Sequence, residues 1–201
     1  MASSEVEICN KALARAGVNS FITALDNATA EAASCRVLYP PCRDALLATS
    51  PWPFAKRRAT LAPLSNVTRT GYLYAFLLPA DCLVVREIWS GHRRPRADQR
   101  IPYAIHNAVD GRILCTDLSA PDIEYTARVT NVTLYHPLFE EALTWALAAD
   151  LALSLAKDIR QEQLARVRSE QMLTRAQAVA LSEDQMDVEP QSELITIRGV
   201  D

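Results

Sequence analysis

The chain has 201 residues, 49% of them hydrophobic and 22% charged, enough for one good core or one core with a small second lobe. No apolar run approaches the roughly 18 residues that span a bilayer, and no basic segment followed by an apolar stretch opens the N-terminus, so neither a membrane span nor a secretory signal is expected. The net charge of −3 excludes the overall basic character usual in a duplex-DNA reader.

The charge is unevenly spread. Residues 1–100 hold 13 Lys+Arg against 8 Asp+Glu, a net +5; residues 101–201 hold 8 against 16, a net −8. Such asymmetry suits a subunit that meets copies of itself or partners in a fixed polarity.

In chain order, Ser4-x-x-Glu7 is a capping box that starts a first helix. Val6, Cys9, Leu13 and Ala16 recur at helical spacing, and Gly17 is placed as the left-handed terminator. A second helix is expected from Asn27 or Thr29. Pro40-Pro41 predicts a kink or break in it, because each proline removes an amide donor and crowds the preceding turn. A short helix over Cys42–Ala48 should follow, with Ser50-Pro51-Trp52-Pro53 closing the helical part.

From Phe54 the texture becomes β-like. Candidate strands are Phe54–Ala62, Tyr72–Leu78, Leu83–Trp89, Pro102–Asn107, Arg112–Thr116 and Ile123–Val129. Alternation puts Tyr72, Tyr74 and Phe76 on one strand face. Pro79-Ala80-Asp81 is a turn, and Asp110-Gly111 is a hairpin signal. Trp52 and Phe54 are expected to anchor the junction of the helical and β parts.

Helix returns at Pro137, a favoured first helical position. Leu138, Ala142, Trp145, Ala149 and Ala152 mark one face; Phe139, Leu143, Ala146 and Leu153 widen it. Lys157–Arg160 marks a break before a more polar helix over about 161–181, whose apolar stripe is read as Leu164, Val167 and Met172. Ser182–Glu193 is acidic and reads as a tail. The β-prone Leu194-Ile195-Thr196-Ile197-Arg198 then fits an arm that docks onto a neighbour as an added strand.

The expected fold is α+β: an antiparallel helical bundle of N- and C-terminal helices (residues 1–53 and 135–181), a small inserted β domain (54–134) and an extended C-terminal arm (182–201).

Motifs for chemistry are missing. No phosphate-binding glycine loop, nucleophile elbow or H-E-x-x-H occurs. Cys9, Cys35, Cys42, Cys82 and Cys115 form no C-x-x-C pair and read as buried free thiols; His92, His106 and His136 have no metal-like spacing. Glu140-Glu141 sits in the first turn of a helix, where the dipole favours negative charge. Asp117, Asp122 and Glu124 flank a strand turn without a sign of a cleft. No catalytic, cofactor-binding or metal-ligating residue is therefore assigned.

Two basic clusters stand out. His92, Arg93, Arg94, Arg96 and Arg100 read as a solvated loop or, more sharply, as a contact with DNA phosphate or with an acidic face of a partner. Lys56-Arg57-Arg58 is smaller, and strand alternation lets only one or two of its members share a face.

Five segments carry a family resemblance: Glu7-Ile8-Cys9-Asn10-Lys11-Ala12-Leu13-Ala14-Arg15-Ala16-Gly17; Arg43-Asp44-x-Leu46-Leu47, preceded by Glu31 to Cys35 and Tyr39; Pro51-Trp52-Pro53-Phe54-Ala55, followed by Lys56-Arg57-Arg58-Ala59-x-Leu61-Ala62; Gly71-Tyr72-x-Tyr74-Ala75-Phe76-x-Leu78-Pro79-Ala80-Asp81-Cys82-Leu83; and Pro137-Leu138-Phe139-Glu140-Glu141-Ala142-Leu143. In this order they resemble the tail tubular protein A family, the head-to-tail adaptors of podoviruses and related tailed phages. Pro53, where the family usually has Asn, and Pro40-Pro41 depart from its pattern. The resemblance implies a structural protein of the virion neck, assembled in the host cytoplasm. It implies a ring, typically of twelve copies, that binds the portal protein and the tail nozzle protein, with tail fibres as a further partner. The ring lines the channel and touches genomic DNA without reading bases, and the arm Leu194–Arg198 reaches onto the portal. It implies no enzyme activity and no membrane. The alternatives are a peptidoglycan-degrading, muramidase-like tail protein, because hydrolase activity has been proposed for similar adaptors, and a non-viral helical scaffolding protein.

Overall fold

The computed structural model describes residues 4–64, 71–91, 99–109 and 111–183. The chain is α+β, with four α-helices and two small antiparallel sheets of three strands each.

Helix α1 (Glu5–Arg15) begins as its capping residue dictates: the Ser4 hydroxyl accepts from the Glu7 amide at 3.1 Å. It ends in a Schellman motif, with Val18 N–H on the Leu13 carbonyl, Gly17 N–H on Ala14, and Gly17 at φ +81°. Helix α2 (Ala30–Thr49) is capped by the Thr29 hydroxyl, which accepts from Ala32 N–H at 3.2 Å. It runs through both prolines without a break, contrary to expectation. The two carbonyls that lose donors to Pro40 and Pro41 belong to Arg36 and Val37. All four residues are exposed, so solvent is available to those carbonyls. The opposite face, with Cys35, Tyr39, Leu46 and Leu47, is buried and holds the helix in place.

A 3₁₀ turn over Pro53–Ala55 delays the first strand, so β1 is Lys56–Thr60. β2 (Tyr74–Leu77), β3 (Cys82–Ile88), β4 (Ala104–Ala108), β5 (Gly111–Thr116) and β6 (Asp122–Ala127) follow. One sheet has the order β1-β6-β3 and the other β2-β5-β4. Ala108 pairs with Gly111, closing a tight hairpin at the expected turn, and Gly111 takes φ +130°. Phe76, Leu114, Val85, Ile88, Ile123 and Tyr125 from the two sheets form one apolar cluster. Tyr74 and Phe76 share a strand face, with ring centroids 6.4 Å apart. Tyr72 does not join them. It lies in a bend before β2 and packs with Ala75, Ile113 and Cys115, because the alternation begins only where β2 pairs with β5.

α3 (Pro137–Leu151) is the most buried helix, with Phe139, Leu143, Leu147 and Leu151 fully covered; Leu153, expected to widen its face, lies beyond its end and is exposed. It packs against α1, α2 and α4. A π-turn over Ala152–Ala156 and the left-handed Lys157 (φ 54°) reverse the chain. Asp158 then caps α4 (Ile159–Glu183), its carboxylate accepting from Arg160 and Gln161 N–H. α4 is two residues longer at each end than expected and is turned differently. Its buried residues are Ala165, Ser169 and Ala176, while Leu164 and Val167 face outward. Small residues win the inner face because α4 lies close on α3, where the Ser169 hydroxyl donates to the Ala142 carbonyl at 3.3 Å.

Candidate functional site

The sites expected from sequence fall partly outside the described residues. These are Leu194, Ile195, Thr196, Ile197 and Arg198 of the arm, and His92, Arg93, Arg94 and Arg96 of the basic loop. Arg100 is described and exposed. It borders a depression of about 380 Å³ together with Arg86, Glu87 and Tyr103. Arg86 is committed elsewhere: its Nε donates to Thr126 Oγ1 at 2.8 Å and its Nη2 to the Ala48 carbonyl at 3.0 Å. It thereby supplies a cation to the C-terminal end of α2, which has no basic residue in its own last turn. Burial holds its guanidinium below the ordinary arginine range. The Tyr103 hydroxyl donates to the Val85 carbonyl at 3.3 Å, and burial pushes that phenol up.

The second basic cluster is absorbed by the sheet. Lys56 and Arg58 stand on one face of β1, and their partner is Glu124 of β6, 6% exposed. Lys56 Nζ lies 2.8 Å from Oε1; Arg58 Nη2 lies 3.0 Å from Oε2 and its guanidinium covers the Trp89 ring at 4.0 Å. Arg57 points the other way and meets Asp81 at 2.7 Å. Asp81 also accepts from the Tyr125 hydroxyl at 3.2 Å, and its carbonyl accepts from Arg128 N–H.

Glu140, Glu141, Asp117 and Asp122 also have partners. Glu140 meets Lys11 at 2.9 Å, and Glu141 accepts from Arg15 with both oxygens, at 3.0 and 2.8 Å. These pairs tie α1 to the N-terminal part of α3, while Arg15 also lies 4.3 Å over the Trp145 ring. Asp117 accepts from Leu73 N–H at 2.9 Å, and Asp122 accepts from the Thr60 hydroxyl. All five cysteines are free thiols. Cys35 beside it, together with burial, pushes the Cys9 thiol far above its ordinary range, and burial pushes Cys42 up to about 12, so both stay protonated and unreactive at neutral pH. The His136 ring caps α3, accepting from Leu138 N–H at 3.2 Å. Among the described residues, no three His, Cys, Asp or Glu side chains are placed to hold a metal ion, and no helix is long and apolar enough to cross a membrane.

What sequence reasoning missed at the seam between the helices and the sheets are the partners that surround its two expected anchors, Trp52 and Phe54. Trp52 is 1% exposed. Its ring meets Phe139 edge-on at 5.1 Å and stacks on Phe54 at 6.0 Å, and Phe139 also contacts Tyr135 at 5.1 Å. The Trp52 indole N–H donates to the Leu46 carbonyl at 3.0 Å. Beside this aromatic cluster runs an ionic chain: Glu5 lies 3.9 Å from Arg43, Arg43 bonds Asp44 at 2.8 Å, and Asp44 meets Arg128, just past β6, at 2.7 Å. Trp52 and Phe54 were legible as anchors; Arg86, Arg128 and Tyr135 carried no local signal.

Compared with models of known protein families and with curated protein sequences, the chain matches none.

Proposed function

We propose that this chain is a structural head-to-tail adaptor of a tailed phage. In this reading it forms a ring, typically of twelve copies, between the portal and the tail nozzle and lines the channel for DNA. Residues 1–53 and 135–183 act as a helical bundle, 54–134 as an inserted β domain, and the chain beyond α4 as an arm that docks on the portal.

One observation carries the reading: the segments behind the resemblance touch one another, the first and the last although they lie far apart in sequence. Lys11 and Arg15 of the first bind Glu140 and Glu141 of the last. Trp52 and Phe54 of the third pack on Phe139 of the last. Arg57, just after them, binds Asp81 of the Leu-Pro-x-Asp-Cys turn. Trp52 donates to Leu46 of the second. Contacts among these segments are what a single shared scaffold requires, and in that sense they support the reading. A channel lining also needs no base-reading constellation, only a stable scaffold presented many times.

Deleting residues 190–201 is expected to leave the unfolding transition unchanged and to weaken docking onto portal rings at least about tenfold, on the β-augmentation logic of the arm. Co-sedimentation with portal rings reads the effect. Docking at full strength by the truncated chain would remove the arm from the account.

A further inference from the structure

α4 has two seams, and only one of them is covered. Ala165, Ser169 and Ala176 are buried against α3. On the far side, Leu164, Val167, Gln171, Thr174, Ala178 and Leu181 follow one another at alternating spacings of three and four, the repeat of a coiled-coil seam. All six are exposed, Leu164 by 47%, Val167 by 51% and Leu181 by 69%.

The flanks of this seam carry opposite charges in an ordered way. With Leu164 as the first core position of a heptad, Arg168 and Arg175 fall on one flank and Glu170 on the other. In a parallel helix pair, the second flank of one heptad faces the first flank of the next heptad in the partner, so Glu170 faces Arg175 and Arg175 faces Glu170. In an antiparallel pair, like flanks meet and arginine faces arginine. Among the described residues, neither Glu170 nor Arg175 has an ion-pair partner within its own chain. Gln171 and Thr174 occupy core positions in the middle, where polar residues restrict register at a cost in stability.

We infer that the outer face of α4 binds α4 of a second copy of this chain as a parallel two-helix pair. The pattern is self-complementary in that register, which favours a second copy over an unrelated partner. A two-fold pair closes on itself, whereas a ring joins unlike faces. The pair is thus a state of the free chain; it goes beyond the adaptor reading and does not rest on it.

The test is sedimentation equilibrium of the full chain and three variants. The unaltered chain is expected to dimerise. Glu170→Arg and Arg175→Glu each set like charges face to face at two symmetric contacts and should weaken dimerisation about tenfold. The double variant Glu170→Arg/Arg175→Glu restores opposite charges and should recover it. Both positions are exposed, so helical circular dichroism should not change. A chain that stays monomeric at high concentration overturns the inference. So does a dimer indifferent to both single changes, which uses another surface. Tighter dimerisation by Arg175→Glu alone also overturns it, because that change relieves the arginine contacts of an antiparallel pair.

Discussion

Trp52→Ala is expected to cost about 3–5 kcal/mol of unfolding free energy, the largest loss from any single side chain at the seam. The indole is 1% exposed and touches rings from the segment after α2 and from α3. Removing it opens a cavity, strips the Leu46 carbonyl of its indole donor, and leaves Phe54 and Phe139 in contact only with each other and with Tyr135 among the rings of the cluster. Urea denaturation followed by far-ultraviolet circular dichroism reads the effect without relying on tryptophan emission. Trp52→Phe should recover part of the loss, because it keeps aromatic bulk and gives up only the hydrogen bond and part of the volume. A loss below about 1 kcal/mol for the alanine variant would mean that the cluster relaxes freely and does not hold helices and sheets together.

Glu124→Ala should be the second most damaging change, at about 2–3 kcal/mol. The carboxylate is buried while its partners, Lys56 and Arg58, are partly exposed. Water can therefore take up part of the two freed cations, which places the cost below that of breaking a fully buried pair. Cross-strand position works in both directions: Arg58 pairs directly with Glu124 in the β1–β6 register, whereas Glu87 faces Glu124 from β3, and removing that like-charge contact offsets part of the loss. With Glu124 gone, Arg58 keeps its contact with Trp89 but loses the anion that orients it. The loss should persist in 1 M salt, because a buried carboxylate is poorly screened. Denaturation midpoints of the two proteins at low and high salt measure this directly. A difference under about 0.5 kcal/mol would reduce the pair to an ordinary surface contact.

Much of the fold was legible because it is written locally. Ser4, Gly17, Thr29 and Pro137 each act through their own or a neighbouring backbone group, so helix starts and the end of α1 follow from a few adjacent residues. The turn at Gly111 is legible for the same reason. Pro40-Pro41 misled because the local rule is right about the lost donors but silent on exposure: the freed carbonyls face solvent while the core holds the other side of α2. Leu164 and Val167 misled in the opposite way. Apolarity was taken to mark the inner face of α4, but close packing on α3 selects alanine and serine there and leaves the larger residues outside. The partners of Lys56 and Arg58 could not be read at all, because Glu124 lies in a strand far along the chain and only sheet register brings it across.

The acids weighed for hydrolysis have structural partners, and this changes what an enzymatic reading requires. Glu140 and Glu141 hold α1 to α3, and Glu124 holds β1 to β6. A muramidase that used Glu124, Glu140 or Glu141 would have to release one of these ion pairs to free a general acid or base, whereas among the described residues Asp117 and Asp122 are held by hydrogen bonds alone.

The adaptor reading is tested most directly by native mass determination of the purified chain, alone and after mixing with portal rings. The account predicts a small species when the chain is alone and a large assembly, with many copies per portal, after mixing. A small oligomer whose mass does not change in the presence of portal rings would contradict it.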